Sequence, residues 1–273
     1  MQALIAGAGP AGCHLAIRLA RSGWRVTLAD PLPDPRRNAY SSGALPLRDA
    51  NRLCIPEACR SAHWWGWQLL NPAGVEHQWW SDDALGVVLD FAAFRSWLWG
   101  EAVQAGVELL PGRRVRLLRL DADTAVVRIQ ANGEASEERV CSHLVDATGA
   151  RRVLLRQAGV ELDSPEDPLL SGEGSEWLLQ GNDRTTARWR DRLSFMLGSQ
   201  WIPHGYGWVF PMGDHQLKVG VCRLAPPTGP RASINTALKR LLNRFGLDQL
   251  PVLDRHGGLV SSTVNRRETS GSG

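Results

Sequence analysis

The sequence contains very little lysine: Lys218 and Lys239 are the only two among its 31 basic residues. Arginine therefore supplies almost all of the positive charge, and it is scattered along the chain rather than concentrated in one patch. The formal net charge is only +3, because 28 acidic residues offset the basic ones. This small, dispersed charge does not indicate nucleic-acid binding, so we expect no nucleic-acid partner.

Long apolar runs are also missing. No stretch approaches the ~18 apolar residues that a membrane-spanning helix needs, and a strand-like segment starts at the second residue where a signal peptide would lie. We therefore expect a cytoplasmic protein, and we leave peripheral contact with a membrane open. The five cysteines are odd in number and form no C-x-x-C pair, which favours free thiols in a reducing compartment. Cys54, Cys59 and His63 lack a nearby fourth ligand, so we predict no metal site.

Tryptophan, by contrast, is abundant, with 12 copies. Five of them fall within residues 63–80, which read as a hairpin around the turn Asn71-Pro72-Ala73-Gly74. Three interpretations stay open for this hairpin: part of the core, a dimer surface, or the lining of a channel for a long apolar substrate.

The N-terminus carries a glycine pattern between a strand and a helix. The segment 2–6 is a short apolar strand, and "GAGPAG" follows it with G-x-G-x-x-G spacing. The first glycine permits a tight turn, the second lets a pyrophosphate approach the backbone, and the third lets the helix pack closely on the sheet. The N-terminus of that helix offers free N–H groups to phosphate. The predicted pyrophosphate-binding residues are Gly7, Ala8, Gly9, Pro10, Ala11 and Gly12.

An acidic residue completes this pattern. Asp30 ends the second predicted strand, residues 24–30, at a distance from the glycines that suits a ribose diol. A carboxylate there also disfavours a 2′-phosphate by charge repulsion, so NADP is not the expected ligand of this motif. We predict a Rossmann-type site for an adenine dinucleotide.

The order of predicted elements indicates two interleaved domains in an α/β fold. A βαβ start is followed by a strand-rich excursion, and the chain then returns to strands that end in "VDATG". Residues 161–176 read as polar and turn-rich, and residues 231–246 as a helix. We predict a Rossmann-type dinucleotide-binding domain from residues 1–45 and 86–160, and a β-rich substrate (cap) domain from residues 46–85 and 161–260.

"GAGPAG" together with "VDATG" resembles the FAD-dependent oxidoreductases of the p-hydroxybenzoate hydroxylase structural type. The strings "IPHGYGWVFPMGD" and "HGGLVSSTVNRRE" are similar to the branch that contains geranylgeranyl reductases and lycopene cyclases. The resemblance implies FAD as the cofactor, with the glycines at its pyrophosphate and Asp30 at its ribose. It also places Asp146 and Gly149 beside the dinucleotide and Val115 near the adenine.

The chain departs from this family pattern at two points. Phe91 stands where the family usually has an arginine, and Arg95 lies one turn later, so either Arg95 replaces that arginine at the flavin or a flavin contact has been lost. The family's third motif, G-D-A-x-G, is missing before Gly273, so the resemblance implies a copy without its C-terminal FAD-binding segment.

Within residues 201–221, Tyr206, Trp208 and Phe210 alternate and point to one face of a strand, with glycines on the other. The pattern alone fits either the core face of a hairpin or a wall for a flat ligand, and the glycines allow close approach of a backbone or a ring. The resemblance favours the wall. His204, Asp214 and His215 lie nearby without an identifiable partner, so no catalytic residue is assigned.

The resulting expectation is an FAD-dependent oxidoreductase acting on an isoprenoid-like apolar substrate, by C=C reduction or flavin-assisted cyclisation, with NAD(P)H or another electron donor. One alternative is an NAD(P)H-dependent flavin monooxygenase that hydroxylates aromatic rings. A second is an incomplete, non-catalytic dinucleotide-binding fragment. A flavin-dependent halogenase is disfavoured, because neither lysine is a good candidate for that family's active-site lysine.

Overall fold

The computed structural model describes residues 1–38, 41–131, 133, 135–160, 170–225 and 233–262. None of the helices in these ranges is both long and apolar enough to cross a bilayer. The helices are α1 Pro10–Arg21, α2 Leu47–Arg52, α3 Phe91–Gln104, α4 Val153–Gln157, α5 Asp183–Thr186 and α6 Ile234–Arg244. The strands up to the middle of the chain are β1 Gln2–Ala6, β2 Arg25–Asp30, β3 Ala44–Pro46, β4 Arg60–Trp64, β5 Gly66–Leu70, β6 Glu76–Trp80, β7 Gly86–Leu89, β8 Glu108–Pro111 and β9 Arg114–Leu120. The remaining strands are β10 Ala125–Gln130, β11 Glu137–Cys141, β12 His143–Asp146, β13 Leu170–Gln180, β14 Arg192–Leu197, β15 Gly205–Pro211, β16 Gln216–Ala225 and β17 Val252–Ser262.

The chain divides into two compact units. Among the described residues, the first unit comprises 1–38 and 92–160, and the second comprises 41–91 and 170–262. The boundary predicted at residue 86 differs from this division, because β7 hydrogen-bonds to β3 and β4 of the second unit.

The first unit is built on a parallel sheet with the strand order β12-β1-β2-β8. β1 and β2 are almost wholly buried, as expected for strands of a parallel sheet that is covered on both faces. The antiparallel strands β9, β10 and β11 form a second small sheet in this unit. Its inward side chains, among them Val127 and Ile129, pack against Leu4 of β1. The predicted Rossmann-type α/β architecture is confirmed.

The second unit is dominated by a seven-stranded sheet with the order β17-β13-β16-β15-β14-β5-β6. One face of this sheet is covered by α6, whose leucines Leu238, Leu241 and Leu242 join strand residues such as Val219 and Val221 in a buried apolar core. A short sheet, β3-β7-β4, contributes Trp64 and Val88 to a different cluster that includes Trp208 and Phe210.

One segment differs from the sequence expectation. Residues 170–176, predicted as turn-rich, are the first part of β13, because their backbone is paired with β16 on one side and β17 on the other. Pairing on both edges satisfies the backbone of this Gly- and Ser-rich stretch, which has no apolar alternation to show that it is a strand. The predicted helix at 231–246 is α6, and residues 231–232 lie outside the described ranges.

Candidate functional site

The three glycines of the N-terminal turn have different local roles. A Cβ added at Gly7 would overlap the carbonyl oxygen of Ala147, and a Cβ at Gly12 would overlap the carbonyl oxygen of Gly7. Gly7 also has a positive φ of 106°, which favours glycine. A Cβ at Gly9 would meet nothing within 4 Å. Gly7 and Gly12 are therefore required for packing, whereas Gly9 leaves open space in front of the backbone.

The peptide of Ala8 is held on both sides. Its N–H donates to Oδ2 of Asp30 over 2.8 Å, and its carbonyl accepts from Nε1 of Trp99 over 2.9 Å and from the Cys13 thiol over 3.3 Å. The other carboxylate oxygen of Asp30 accepts from the N–H of Leu32 over 2.9 Å. The buried Asp30 and Trp99 therefore fix the glycine turn from two directions. Trp99 was missed in the sequence, although its spacing of four from Arg95 on a helix puts the two on one face.

Arg95 is a buried cation in the same region and is only 3% exposed. Burial lowers the pKa of its guanidinium, and the negative charge of Asp30 acts in the opposite direction. Burial raises the pKa of Cys13 to about 12, so this thiol is neutral near pH 7. Arg95 thus lies within electrostatic range of Asp30, near the turn where a dinucleotide would bring negative charge.

Helix α1 adds to this arrangement. Pro10 lies in its first turn, which contains no acidic residue. The N-cap residue is Gly9, which has no side chain to cap the helix. The first N–H groups of a helix have no partner within the helix and attract anions. Asp30 uses two of the roughly four lone-pair positions of a carboxylate, so acceptor positions remain for ribose hydroxyls. These residues fit a dinucleotide.

Asp146 has a clear structural role. Its Oδ1 accepts from the N–H and hydroxyl of Thr148 at 2.9 and 2.6 Å, and its Oδ2 accepts from the N–H groups of Leu154 and Leu155 at 2.8 and 3.0 Å. The side chain therefore caps the start of α4 and shapes the loop after β12. Gly149, in that loop, has a φ of 69° and open space around its Cα. Contact of Asp146 and Gly149 with a dinucleotide stays a prediction.

Val115 lies on β9 and is half buried. Its side chain packs against the cluster formed by residues such as Val127 and Ile129. This packing accounts for an apolar residue at the position, and its predicted place near an adenine stays a prediction.

In the second unit, aromatic rings follow one another across one face of the large sheet. Phe195 of β14 lies 5.9 Å from Tyr206 and 5.3 Å from Phe210 of β15, between ring centroids. Trp208 lies 5.8 Å from Tyr206, and Trp67 stacks on Phe195 at 5.6 Å. We call these five residues the aromatic face. Trp208 and Phe210 are buried, whereas Tyr206 and Trp67 are 39% and 37% exposed, so the face runs from the core to solvent.

Other atoms of the protein fill the space next to the glycines of β15. A Cβ at Gly207 would overlap Leu241 of α6, and one at Gly205 would overlap the carbonyl oxygen of Cys222. On the aromatic side, the indole of Trp208 lies over Gly220, its partner across β15 and β16. The close approach predicted at the glycines of β15 is thus made by a helix side chain and a neighbouring strand.

Polar groups are embedded beside the aromatic face. Nε1 of Trp208 donates to Oε2 of Glu176 over 2.8 Å. Nζ of Lys218 donates to the carbonyl oxygens of Ser41 and Leu89 at 2.9 and 3.2 Å, and burial lowers the pKa of this amine. Burial raises the pKa of Tyr206 to about 12, so its hydroxyl is neutral at physiological pH.

His204, Asp214 and His215 lie in turns, each with a positive φ between 55° and 58°. Nδ1 of His215 lies 3.7 Å from Oδ1 of the exposed Asp183. Within the described ranges, no three His, Cys, Asp or Glu side chains are grouped as metal ligands.

A parallel sheet, a glycine turn at the start of α1 and an acid at the end of β2 define a dinucleotide-binding protein of the Rossmann type. A family model described as FAD dependent oxidoreductase matches residues 41–270. The chain belongs to this FAD-dependent oxidoreductase family, which confirms the predicted family and its cofactor, FAD.

Known relatives narrow the similarity further. The chain is 30% identical over 228 residues to a digeranylgeranylglycerophospholipid reductase of Haloferax volcanii, covering 80% of this chain and 52% of the relative. It is 26% identical over 238 residues to reductase 1 of the same name from Methanococcoides burtonii, covering 85% of this chain and 56% of that protein. The chain thus spans about half the length of these curated relatives.

Solved structures show the same fold. A geranylgeranyl bacteriochlorophyll reductase-like protein from Thermoplasma acidophilum superposes with a TM-score of 0.81 at 22% identity, covering 95% of this chain and 66% of that one. A flavin-dependent brominase superposes with a TM-score of 0.70 at 17% identity, covering 96% of this chain and 68% of that one. At these identities the likeness concerns the fold alone.

Proposed function

We propose that this chain binds FAD through its first unit and an isoprenoid-like apolar substrate through its second, in an oxidoreductase that reduces C=C bonds or assists cyclisation. The observation that carries the proposal is the aromatic face, which presents Tyr206 and Trp67 to solvent and continues into buried Trp208. Aromatic surface suits a polyprenyl chain because it offers a large apolar contact area. The reductases named above, whose names specify geranylgeranyl lipids, support the same substrate class.

The FAD contacts in this proposal come from the geometry of the first unit. The open backbone at Gly9 and the first turn of α1 receive the pyrophosphate, Asp30 accepts hydrogen bonds from the ribose, and Arg95 supplies a buried positive charge. Bound FAD supplies the redox chemistry, and the protein orients and shields it.

Two further parts of the proposal concern partners. Flavin reduction by NAD(P)H is checked by adding NADPH anaerobically and recording whether the flavin absorbance bleaches; no bleaching indicates another donor.

Contact with a lipid surface is supported by Trp79 and Trp80, which are 53% and 52% exposed on the edge strand β6, because indoles favour the lipid–water interface. Co-sedimentation with liposomes that is lost on replacing both tryptophans by serine is the expected result.

The cofactor half is tested by purifying the protein, adding FAD and recording the visible spectrum after gel filtration. We expect a yellow protein with a flavin spectrum. A colourless protein that releases all added FAD contradicts FAD binding by this chain.

The substrate half is tested with geranylgeraniol as the probe, by the change in tryptophan fluorescence on titration. Tyr206→Ser removes an exposed ring from the aromatic face, so we expect weaker binding of geranylgeraniol and unchanged binding of FAD. Val103→Ser, an exposed apolar position on α3, is the control and should bind the probe as the unchanged protein does. Equal affinities in all three proteins contradict the assignment of the aromatic face.

A further inference from the structure

One row of residues crosses four neighbouring strands of the second unit. His256 of β17 is paired with Glu176 of β13, Glu176 with Gly220 of β16, and Gly220 with Trp208 of β15. The missing side chain at Gly220 matters, because a Cβ there would overlap the Trp208 ring. The indole can therefore lie across β16 and reach the carboxylate two strands away.

The row is hydrogen-bonded from end to end. Trp208 Nε1 donates to Glu176 Oε2 over 2.8 Å, Glu176 Oε1 lies 2.9 Å from His256 Nε2, and His256 Nδ1 lies 3.0 Å from Oδ2 of Asp254. Glu176 is only 4% exposed, and the side chain of His256 is 7% exposed. Asp254 is 56% exposed at its side chain, so the row connects a buried indole to solvent.

His256 stands between two carboxylates, and both of its ring nitrogens face an oxygen. Only the protonated ring can donate from both nitrogens, whereas the neutral ring leaves one nitrogen lone pair facing a carboxylate oxygen. Burial opposes the charge on His256, but the hydrogen bonds and charges of Glu176 and Asp254 outweigh it, and its pKa is raised above the ordinary value. Lys218 of β16 is the further charged group that faces Glu176 in this part of the sheet.

We propose that Glu176 and His256 are positioning residues that fix the tilt of the Trp208 indole on the aromatic face, and that protonation of His256 sets this tilt. With His256 protonated, Glu176 is held from one side by His256 and holds Trp208 on the other. Loss of the proton leaves one ring nitrogen with a lone pair that faces a carboxylate oxygen. In the proposed switch that nitrogen is Nε2, so its contact with Glu176 joins two acceptors, Glu176 moves and the indole moves with it. The functional consequence rests on the proposed role of the aromatic face in binding the apolar substrate.

The test is the indole ¹⁵N–¹H resonance of Trp208, identified as the signal that disappears in Trp208→Phe. In the unchanged protein this resonance is expected to shift between about pH 5 and pH 9, with a midpoint above the ordinary histidine value of about 6.5. A resonance that stays in place over this range overturns the proposal. This measurement on the unchanged protein does not depend on whether any variant folds.

Variants separate positioning from mere packing. His256→Gln should abolish the pH-dependent shift, and Asp254→Asn should move its midpoint to lower pH, because one of the two carboxylates that favour the charged ring is removed. Arg255→Gln is the matched control: it alters the neighbouring residue, whose guanidinium lies 4.1 Å from the ring centroid of Trp177, and should leave the Trp208 titration unchanged. A titration that persists in His256→Gln overturns the proposal.

Binding of geranylgeraniol forms the second arm. If Trp208 is part of a substrate wall, the affinity of the protein for geranylgeraniol should change several-fold across the same midpoint pH. His256→Gln should remove this pH dependence. An affinity that stays constant while the resonance titrates overturns the functional part of the proposal. Absence of any probe binding, by contrast, contradicts the proposed function and leaves the resonance to decide the positioning role.

Discussion

At the residue scale, the N-terminal motif combines two kinds of glycine. Gly7 and Gly12 lie against backbone atoms that a Cβ would overlap, whereas Gly9 faces open space. The turn is then fixed through Ala8, whose peptide is bound by Asp30 on one side and Trp99 on the other. The structure thus leaves one glycine position open for a ligand, and the other two allow close packing.

This difference predicts opposite results for two alanine substitutions. Gly9→Ala should fold with unchanged stability, because its backbone is extended with a φ of −76°, and should lower FAD affinity about tenfold or more, by placing a methyl group where the pyrophosphate approaches. Gly12→Ala should destabilise the protein by about 1–3 kcal/mol through overpacking. Thermal unfolding and FAD titration of both variants check this. Equal loss of stability in the two would contradict the separation.

Trp99→Phe removes the N–H that binds the Ala8 carbonyl and keeps most of the ring volume. We expect a loss of about 1 kcal/mol in the free energy of unfolding, typical of one hydrogen bond, and weaker retention of FAD on gel filtration. Trp97→Phe, on the same helix, is the control, since Trp97 is half buried and contacts Phe94. A larger loss of FAD in Trp97→Phe than in Trp99→Phe would contradict the role of the indole N–H.

At the scale of elements, three of the 12 tryptophans share one packing arrangement between strands. Trp64 lies over Gly86, Trp80 over Gly66 and Trp208 over Gly220, and each pair is directly opposite in register. A large indole can cross a neighbouring strand only where that strand has no side chain, and its ring then covers the glycine. The glycines of these strands are therefore matched to particular tryptophans.

Gly220→Ala should displace the Trp208 indole, because the new Cβ would overlap its ring. The expected result is a loss of about 1–3 kcal/mol in stability and a changed Trp208 indole resonance. Gly258→Ala on β17 is the matched control, since a Cβ there meets nothing within 4 Å, and should leave both unchanged. Two variants of equal stability would rule out the packing role of Gly220.

At the scale of the whole molecule, the described part of the chain passes twice through each of two compact units. In the second unit, the raised pKa of His256 makes global stability depend on pH. A group whose pKa is higher in the folded state contributes stability that is fully present below its unfolded value, about 6.5 for histidine, and is lost as pH rises through the folded value.

The unfolding free energy of the protein should therefore exceed that of His256→Gln by more at about pH 6 than at about pH 9. Urea unfolding at both values, followed by circular dichroism, measures the difference. A gap that widens with rising pH would contradict the assigned direction of the pKa shift.

Local patterns in the sequence were sufficient for the FAD motif and for most elements. The helix after the glycines and the hairpin around residues 71–74 follow from periodicity and turn chemistry, which are properties of neighbouring residues. Residues 170–176 could not be assigned in this way, because pairing with β16 and β17 makes them a strand. The place of β7 in the second unit also could not be read from local patterns, because it depends on pairing with β3 and β4.

The sequence by itself determined the family, the cofactor and the alternation of aromatic side chains on β15, because each depends on residue types at fixed spacing. Only the tertiary structure decided which backbone atoms lie against Gly7 and Gly12, and that Leu241 of α6 covers Gly207 of β15. It also decided that Glu176 and His256 reach Trp208, since these residues are 32 or more positions apart and meet only through strand pairing. Contacts across strands depend on register, and register is set by the packing of the whole sheet.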